Sequence, residues 1–367
     1  MATIEEQIQA IEEEILRTQK NKATEFHIGK LKAKIARLKM EAEKRRAASS
    51  GGGQGYSVKK SGNATVGLVG FPSVGKSTLL NKLTDAHSEV GAYHFTTLDV
   101  VPGLMEYRGA KIQVLDMPGL IKGASRGKGR GREVISVART CDLILLILDA
   151  FETHIEVLVS ELAEAAIRLN QRPPDIVLTK TSKGGITVNK TVELTKIDDD
   201  MIKAMLQEYG IVNANVVIRE DIDQDQFIDY LAGNRIYIPA IAVLNKIDLV
   251  NERYLNEMTR RLEGWRIVPI SAEAEIGLDD LREAIFDELN FIRIYLKPQG
   301  READMDEPMV IKGGSTVGTV CDTLHRDFRR KFRYAQVWGK SAKFPGQTVG
   351  LDHVMEDGDI LTIVIKK

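Results

Sequence analysis

The stretch GFPSVGKST at residues 70–78 has the composition and spacing of a phosphate-binding loop. Glycines at Gly70 and Gly75 allow backbone N–H groups to turn inward and surround an anion, and the following helix adds its positive N-terminal end. In this chemistry, Lys76 reaches the outer phosphates and the Ser77 hydroxyl binds Mg²⁺. The other loop residues predicted to bind the nucleotide are Phe71, Pro72, Ser73, Val74 and Thr78.

The context of this stretch supports the prediction. The apolar run at residues 64–69 suits a buried strand, and residues 79–83 read as the start of a helix. The alternative is a chance match on a glycine-rich turn. The order of strand, loop and helix disfavours that alternative, because it is the context that a phosphate-binding loop needs.

The element NKID at residues 245–248 indicates which base is bound. The Asp248 carboxylate can accept hydrogen bonds from N1–H and the 2-amino group of guanine, whereas adenine would present the wrong pattern. Asn245 is predicted to link this loop to the phosphate-binding loop, and the Lys246 stem to cover the base. The backbone of Ser271 and Ala272 is predicted to close over guanine O6.

A third element, DMPG at residues 116–119, follows a predicted strand. Asp116 can hold Mg²⁺ through water, and the Gly119 N–H can contact the γ-phosphate. Thr97 can bind Mg²⁺ when GTP is present, so its loop orders with GTP and relaxes with GDP, and Thr96 is the competing choice. The predicted catalytic residues are Lys76, Thr97 and Gly119.

The residue after this element is Leu120, where many GTPases have glutamine. Leucine cannot orient the attacking water, so we expect a slow intrinsic rate or another catalytic device. The candidates are a monovalent cation such as K⁺, a charged residue in the basic loop at 122–132, or a partner. Arg126, Arg130 and Arg132 could act as arginines in cis, but we favour a flexible basic loop.

Composition limits the class of protein. A chain of 367 residues is long enough for two to four domains, and its net charge of −1 does not indicate nucleic acid or membrane as a general partner. Cys141 and Cys321 have no metal-like neighbours and are expected to be buried in a reducing cytosol. The acidic N-terminus is no signal peptide, and the apolar run at 143–148 is too short to span a bilayer. We therefore expect a cytoplasmic protein with no membrane partner.

The chain alternates between predicted strands and helices, which favours an α/β fold with a doubly wound, mostly parallel sheet. This GTPase domain is predicted at residues 61–172 and 235–290, with an α+β module inserted at 173–234. Residues 1–60 are predicted to form a helical hairpin and a linker, and residues 291–367 a β-grasp domain.

Particular elements are predicted from periodicity. Apolar residues at helical spacing mark one face of each hairpin helix, and Thr24 is a candidate cap for the second helix. A helix is predicted at 155–169 and a strand at 236–244. The two sets of hairpin residues are Ile4, Ile8, Ile11 and Ile15, then Ile28, Leu31, Ile35 and Leu38.

Two segments are strongly basic. The hairpin basic segment, residues 17–46, has eleven Lys or Arg and three Glu, and is either a solvated helix face or a surface for RNA or a partner. The C-terminal basic segment, residues 325–346, has interleaved aromatic residues that could stack on unpaired bases. We expect most of these aromatics to fill a small core, with the arginines exposed.

The motifs GFPSVGKST, YHFTTLDVVPG, DMPGLIKGAS and NKID together resemble those of the Obg-related translation-factor GTPases. With RTQKNKATEFHIGKLKAKIARLK, the inserted module and the C-terminal unit, the chain resembles the DRG (developmentally regulated GTP-binding) subfamily over essentially its whole length. The resemblance implies an N-terminal helix-turn-helix region, a GTPase domain with a ribosomal-protein-S5-domain-2-like insert, and a C-terminal TGS domain.

The resemblance also implies Mg²⁺ as a cofactor, Leu120 as the hydrophobic substitute for the catalytic glutamine, and an association with ribosomes or translation. Eukaryotic members use an accessory protein. Relatives that use K⁺ often carry Asn where this chain has Ser73, a difference that bears on direct K⁺ ligation. The leading hypothesis is a GTP-hydrolysing switch that engages ribosome or RNA. The alternatives are a non-catalytic scaffold stabilised by nucleotide and, disfavoured by NKID, an ATP-dependent protein.

Overall fold

The computed structural model describes residues 3–19, 21–49, 62–84, 101–117, 130–151 and 153–366. The chain forms two compact units. The first comprises Met1–Gly55 with Ala166–Tyr237, and the second comprises Tyr56–Ala165 with Ile238–Lys367.

The described residues form helices and strands that are numbered in chain order. The helices are α1 (Ile4–Arg17), α2 (Lys22–Ser49), α3 (Lys76–Leu83), α4 (Arg130–Ala138), α5 (Ile155–Glu164), α6 (Asp199–Glu208), α7 (Gln224–Ala232), α8 (Glu252–Arg261), α9 (Leu278–Glu288), α10 (Val317–Leu324) and α11 (Arg326–Arg330). The strands are β1 (Ala64–Gly70), β2 (Val101–Tyr107), β3 (Ala110–Asp116), β4 (Leu143–Asp149), β5 (Ile167–Leu169), β6 (Ile176–Lys180), β7 (Ile186–Lys190), β8 (Ala214–Ile218), β9 (Ile236–Ile238), β10 (Ala240–Asn245), β11 (Ile267–Pro269), β12 (Phe291–Leu296), β13 (Met309–Lys312), β14 (Phe332–Trp338), β15 (Gln347–Val349) and β16 (Asp359–Ile365).

A six-stranded sheet forms the centre of the second unit, in the order β11-β10-β4-β1-β3-β2. All neighbours are parallel except β2, which pairs antiparallel with β3. The run LILLIL of β4 is completely buried, as expected for a central strand with helices on both faces. The predicted doubly wound, mostly parallel sheet is confirmed.

The topology places four strand ends at one edge of this sheet. The strands β1, β3, β4 and β10 run parallel and end at Gly70, Asp116, Asp149 and Asn245. In open α/β sheets, ligands bind outside the carboxyl ends of the strands. The fold therefore brings residues that are far apart in sequence to one candidate site.

The C-terminal part of the second unit is a five-stranded sheet in the order β13-β12-β16-β14-β15, with α10 packed on one face. Its core includes the buried side chains of Ile294, Val320 and Val337. Cys321 is also buried there, and Cys141 is buried in the central domain, as free thiols. This arrangement of strands around one helix confirms the predicted β-grasp fold.

The first unit joins the N-terminal hairpin to the inserted module. Ile11 of α1 packs against Leu31 and Leu38 of α2, which confirms the predicted faces. The other side of α2 packs on α6 and α7 of the insert, which cover the three-stranded sheet β6-β8-β7. At Gly29 the approach is so close that a Cβ atom would lie 2.6 Å from the Gln224 side chain and 2.9 Å from Met201 Sδ.

Three predictions of local structure were wrong. The helix predicted at 155–169 ends at Glu164, because Ala166 takes a left-handed conformation with φ 62° and β5 follows. The strand predicted at 236–244 is divided at Pro239 into β9 and β10, which belong to different sheets. Thr24 is not the cap of α2. Asn21 is, since its side chain accepts from Thr24 N at 3.0 Å and its own N–H donates to Thr24 Oγ1.

Candidate functional site

The phosphate-binding loop connects β1 to α3 through a backbone that bends inward. Ser73 and Gly75 both have left-handed conformations, with φ of 63° and 94°. A Cβ atom at Gly75 would lie 2.4 Å from Asn245 Nδ2, and one at Gly70 would lie 2.4 Å from the Ile147 carbonyl oxygen. Glycine is therefore required at both positions, and the loop can direct its N–H groups at an anion.

Lys76, the first residue of α3, folds over the start of this loop. Its Nζ donates to the carbonyl oxygens of Gly70 at 3.0 Å and Phe71 at 2.9 Å. Burial lowers the pKa of Lys76 below its usual value, and the Asp116 carboxylate partly opposes this shift. An ammonium has three donors, and these two bonds hold it in place at the mouth of the loop. The arrangement suits contact with an anion.

Ser77 and Asp116 meet at the end of β3. The Ser77 hydroxyl donates to Asp116 Oδ2 at 2.7 Å. Asp116 is only 6% exposed, and its Oδ1 has no hydrogen-bond partner among the described residues. A buried carboxylate oxygen without a partner is costly, so a cation or bound water is expected beside it. The residue types fit Mg²⁺, which prefers oxygen ligands and keeps several waters.

Asn245 connects three loops of the site. It is 2% exposed, its Nδ2 donates to the Val74 carbonyl at 2.8 Å, and its Oδ1 accepts from Ala272 N at 3.0 Å. The bond to Val74 is the link to the phosphate-binding loop that the sequence predicts. Because both ends of the amide are used, Asn245 fixes the distance between the phosphate-binding and base-binding regions.

Lys246 and Asp248 occupy the turn that follows. Lys246 has a left-handed conformation with φ 66°, and it caps a short 3₁₀ helix at Ile247–Leu249. Its Nζ lies 2.6 Å from Asp149 Oδ2. The Asp248 carboxylate is exposed and makes no hydrogen bond within the described part of the chain, so it is available to a ligand.

The loop after β11 is closed by short-range bonds. The N–H of Ser271 donates to the Ile276 carbonyl, and the N–H of Ile276 donates to the Ser271 carbonyl, both at 3.0 Å. The Ser271 hydroxyl accepts from Ala274 N at 3.1 Å. Ser271 and Ala272 are both buried, and the N–H groups of both residues already donate to partners within the protein. The predicted backbone contact with guanine O6 therefore stays a prediction.

The remaining predicted residues differ in position. Pro72 and Ser73 are exposed at the tip of the loop, Thr78 lies half-buried in α3, and the Phe71 ring packs edge-on against His154 at 6.4 Å. Thr96, Thr97, Gly119, Leu120 and Arg126 lie outside the described residues. The basic loop predicted at 122–132 ends in α4, whose first residues include Arg130 and Arg132.

Asp149 is a site residue that the sequence reasoning missed. It ends the apolar strand β4 in the same way that Asp116 ends β3. An acidic residue at the end of a buried strand was therefore the available signal. Its importance depends on Lys246, which is far away in sequence, and only the fold brings the two together.

The C-terminal basic segment contains aromatics of two kinds. Phe328 and Phe332 pack against the β-grasp core, as expected. Phe344 is 60% exposed, and the rings of Tyr334 and Trp338 contact the cations of Arg333 and Lys297 at 5.8 Å and 4.6 Å. The expectation that most aromatics of this segment are core residues is therefore wrong. Tyr334 and Trp338 lie on β14, whose side chains alternate between the core and the outer face of the sheet, and Phe344 lies beyond β14.

Comparisons with known proteins agree with this geometry. A family described as the 50S ribosome-binding GTPase matches residues 65–180, the C-terminal region of the MMR_HSR1 domain matches residues 183–291, and the TGS domain matches residues 292–365. Within the described residues, no helix is long and apolar enough to cross a membrane.

Relatives match along almost the whole chain. A GTP-binding protein of Methanocaldococcus jannaschii is 60% identical over 367 residues, covering 99% of this chain and 93% of its own length. The developmentally-regulated GTP-binding protein 1 homolog of Dictyostelium discoideum is 49% identical, covering 98% and 99%. Developmentally-regulated G-protein 2 of Arabidopsis thaliana is 48% identical, covering 99% and 92%. The chain therefore belongs to the developmentally regulated GTP-binding (DRG) family of Obg-related GTPases, and is a GTP-binding protein with a GTPase domain and a C-terminal TGS domain.

Proposed function

We propose that this chain is a Mg²⁺-dependent GTP-hydrolysing switch that acts with the ribosome. The observation that carries the proposal is the convergence of Lys76, Ser77 and Asp116 at one end of the sheet. The Lys76 ammonium contacts two loop carbonyls, and the Ser77 hydroxyl lies 2.7 Å from Asp116. These are the groups that triphosphate binding requires, and the fold places them close together.

Mg²⁺ would be held by Ser77 directly, by Asp116 through water, and by Thr97. When bound, the ion neutralises charge that develops on the phosphate oxygens. Lys76 adds a fixed positive charge, and the backbone of residues 70–78 adds N–H donors. Asp248 selects guanine, since its carboxylate is exposed and unpaired within the described residues.

Leu120 in place of glutamine supports a slow intrinsic rate, because a leucine side chain cannot hydrogen-bond to water. The water-positioning group is then supplied by K⁺, by a charged residue in 122–132, or by a partner. Gly119 is proposed to contact the γ-phosphate, and Thr97 to order with GTP.

The ribosome is the proposed partner for two reasons. One matching family is described as a 50S ribosome-binding GTPase. The C-terminal basic segment also has exposed cations, Lys331, Arg333 and Lys343, which form no salt bridge within the described residues. Cations without salt bridges, with Lys343 next in sequence to the exposed Phe344, suit a phosphate backbone with unpaired bases.

Lys76→Ala tests the enzymatic part of the proposal. Loss of the fixed charge at the phosphates should lower GTP turnover by about 100-fold or more. Phosphate release is measured with and without ribosomes, in K⁺ and in Na⁺ buffers. Lys82→Ala is the matched control, because Lys82 lies in the same helix but points to Glu275. If Lys76→Ala keeps the wild-type rate, the proposed site is wrong.

A non-catalytic scaffold is the second candidate function, and Leu120 is the observation that favours it. In that case guanine nucleotide stabilises the fold without being turned over. The same assay separates the two functions. Binding of GTP with no phosphate release under any of the four conditions would favour the scaffold.

A further inference from the structure

A carboxylate outside the recognised motifs lies directly beside the proposed base-binding turn. Asp149 ends β4, and its partner across the parallel pair of strands is Asn245 of β10. The N–H of Ala150 donates to the Asn245 carbonyl at 3.0 Å. The end of β4 and the turn that carries NKID are thus joined through their backbones.

The Asp149 side chain is held at both of its oxygens. Oδ1 accepts from Phe151 N at 3.0 Å, and Oδ2 lies 2.6 Å from Lys246 Nζ. The side chain of Asp149 is 17% exposed and that of Lys246 is 32% exposed. A partly buried, charge-assisted contact with a carboxylate anchored by its own turn fixes the position of the ammonium.

Lys246 has a second constraint in its backbone. Its left-handed conformation, with φ 66°, begins the 3₁₀ helix that presents Asp248. With the backbone and the ammonium both fixed, the four methylenes between them have little freedom. A free lysine in this place would have to lose rotamer entropy when a base settled on it.

We infer that Asp149 is a positioning residue for the guanine base, because it holds the Lys246 side chain as a preformed platform on which the purine ring lies. This inference rests on the proposed guanine site. Asp149 acts through Lys246 and makes no contact with the ring. The contribution of Asp149 to nucleotide affinity should therefore not depend on the exocyclic groups of the base, whereas the contribution of Asp248 should depend on them.

The test measures the dissociation constants of GDP and IDP for the full-length protein. Inosine lacks the 2-amino group that Asp248 is proposed to bind. Asp149→Ala should weaken both nucleotides equally, by about three- to tenfold, which is the cost of ordering one long side chain. The loss should appear mainly in the dissociation rate. Asp149→Asn keeps an acceptor for Phe151 N and should have the same effect.

The control variants define the mechanism. Lys246→Met retains an apolar stem without the ammonium, so combining it with Asp149→Asn should cost no more than either single change. Asp279→Ala removes a carboxylate that is 92% exposed at the start of α9, and should leave both affinities unchanged. Unfolding of each variant without nucleotide shows whether it is folded.

Two results would overturn the inference: an Asp149→Asn variant with wild-type affinities, or losses for Asp149→Asn and Lys246→Met that multiply in the double variant. Failure of the guanine site itself looks different. In that case the Asp248→Asn variant would still prefer guanine nucleotides to xanthine nucleotides, and the Lys76→Ala variant would bind GDP with wild-type affinity.

Discussion

The hairpin basic segment and the C-terminal basic segment are both rich in Lys and Arg, but their cations differ in their partners. In the hairpin, cations of α2 contact acceptors on α1 and the insert. Lys30 pairs with Glu208, Lys32 with Asp225 and Lys39 with Glu12, and Arg37 donates to the Glu208 carbonyl. In the C-terminal segment, Arg329 and Arg330 pair with Asp322 and Asp327, but Lys331, Arg333 and Lys343 form no salt bridge within the described chain.

The difference shows that a run of Lys and Arg does not by itself predict a binding surface, because the acids that pair with it can lie elsewhere in the chain. Two of the acids that pair with α2, Glu208 and Asp225, lie in the insert, and Asp225 is 193 residues from Lys32 in sequence. Lys30, Lys32 and Arg37 of the hairpin segment therefore help to dock α2 on the insert. The C-terminal segment keeps cations without salt bridges in the described chain, and the proposed ribosome contact is assigned to it.

The largest expected effect comes from reversing the unpaired charges. The triple variant Lys331→Glu, Arg333→Glu and Lys343→Glu should weaken ribosome association by about 10- to 100-fold at moderate salt. It should also reduce the slope of log K against log salt by about 2, since each lost phosphate contact removes about 0.7. Co-sedimentation across a salt series measures both quantities.

The matched control for this variant is in the hairpin. Lys34 and Lys44 form no salt bridge among the described residues, so Lys34→Glu with Lys44→Glu changes charge without breaking the docking of α2. We expect its effect on ribosome association to be below about threefold. A larger loss from the hairpin variant than from the C-terminal variant would reverse the comparison.

The second effect concerns the docking of α2. Gly29→Leu places a large side chain where even a Cβ atom is 2.6 Å from Gln224. Overpacking lowers the free energy of unfolding by about 1–3 kcal/mol, and the higher helix propensity of Leu offsets about 1 kcal/mol of that loss. Urea unfolding should therefore show a net loss of up to about 2 kcal/mol, with faster proteolysis of α2.

Two further variants separate the causes. Gly29→Ala should cost less than Gly29→Leu, because the nearest atoms belong to flexible side chains. Lys44→Leu adds the same side chain to α2 at an exposed position and should change stability by less than about 0.5 kcal/mol. Equal stability of all three variants would show that α2 does not pack closely on the insert.

The smallest effect comes from a single docking ion pair. Lys32 and Asp225 are 39% and 65% exposed, so the free energy of their interaction should be below about 1 kcal/mol and should fall in high salt. Lys32→Glu should destabilise the protein slightly, and adding Asp225→Lys should restore stability. A double variant no more stable than Lys32→Glu alone would remove this pair from the docking surface.

Much of the site follows from sequence because its groups lie at fixed offsets from strand ends. Lys76 and Ser77 follow β1 through a loop whose length is set by the phosphate, and Asp116 is the last residue of β3. Thr97 and Gly119 lie outside the described residues, and their roles stay predictions. Asp149 was missed because its partner, Lys246, lies 97 residues later, in the turn after β10.

Local patterns failed where the chain changes sheet without changing composition. The apolar residues of β9 and β10 read as one strand, and only Pro239, which cannot donate to a ladder, separates them. The end of the predicted helix at 155–169 became β5 because it pairs with β9. Neither outcome is visible in a window of ten residues, since both depend on a pairing partner elsewhere in the chain.

The pairing of β5 with β9 has a consequence for the history and folding of the chain. The N–H of Ile236 donates to the Ala166 carbonyl at 3.0 Å, so the inserted stretch leaves and returns at one point. Each doubling of the length of a closed loop costs only about 0.6 kcal/mol of loop-closure entropy. The insert is therefore a loop between two strands of the central domain, and the β5–β9 pair already holds its two ends together. Such a module can be gained, lengthened or exchanged with little effect on the stability of the domain that hosts it.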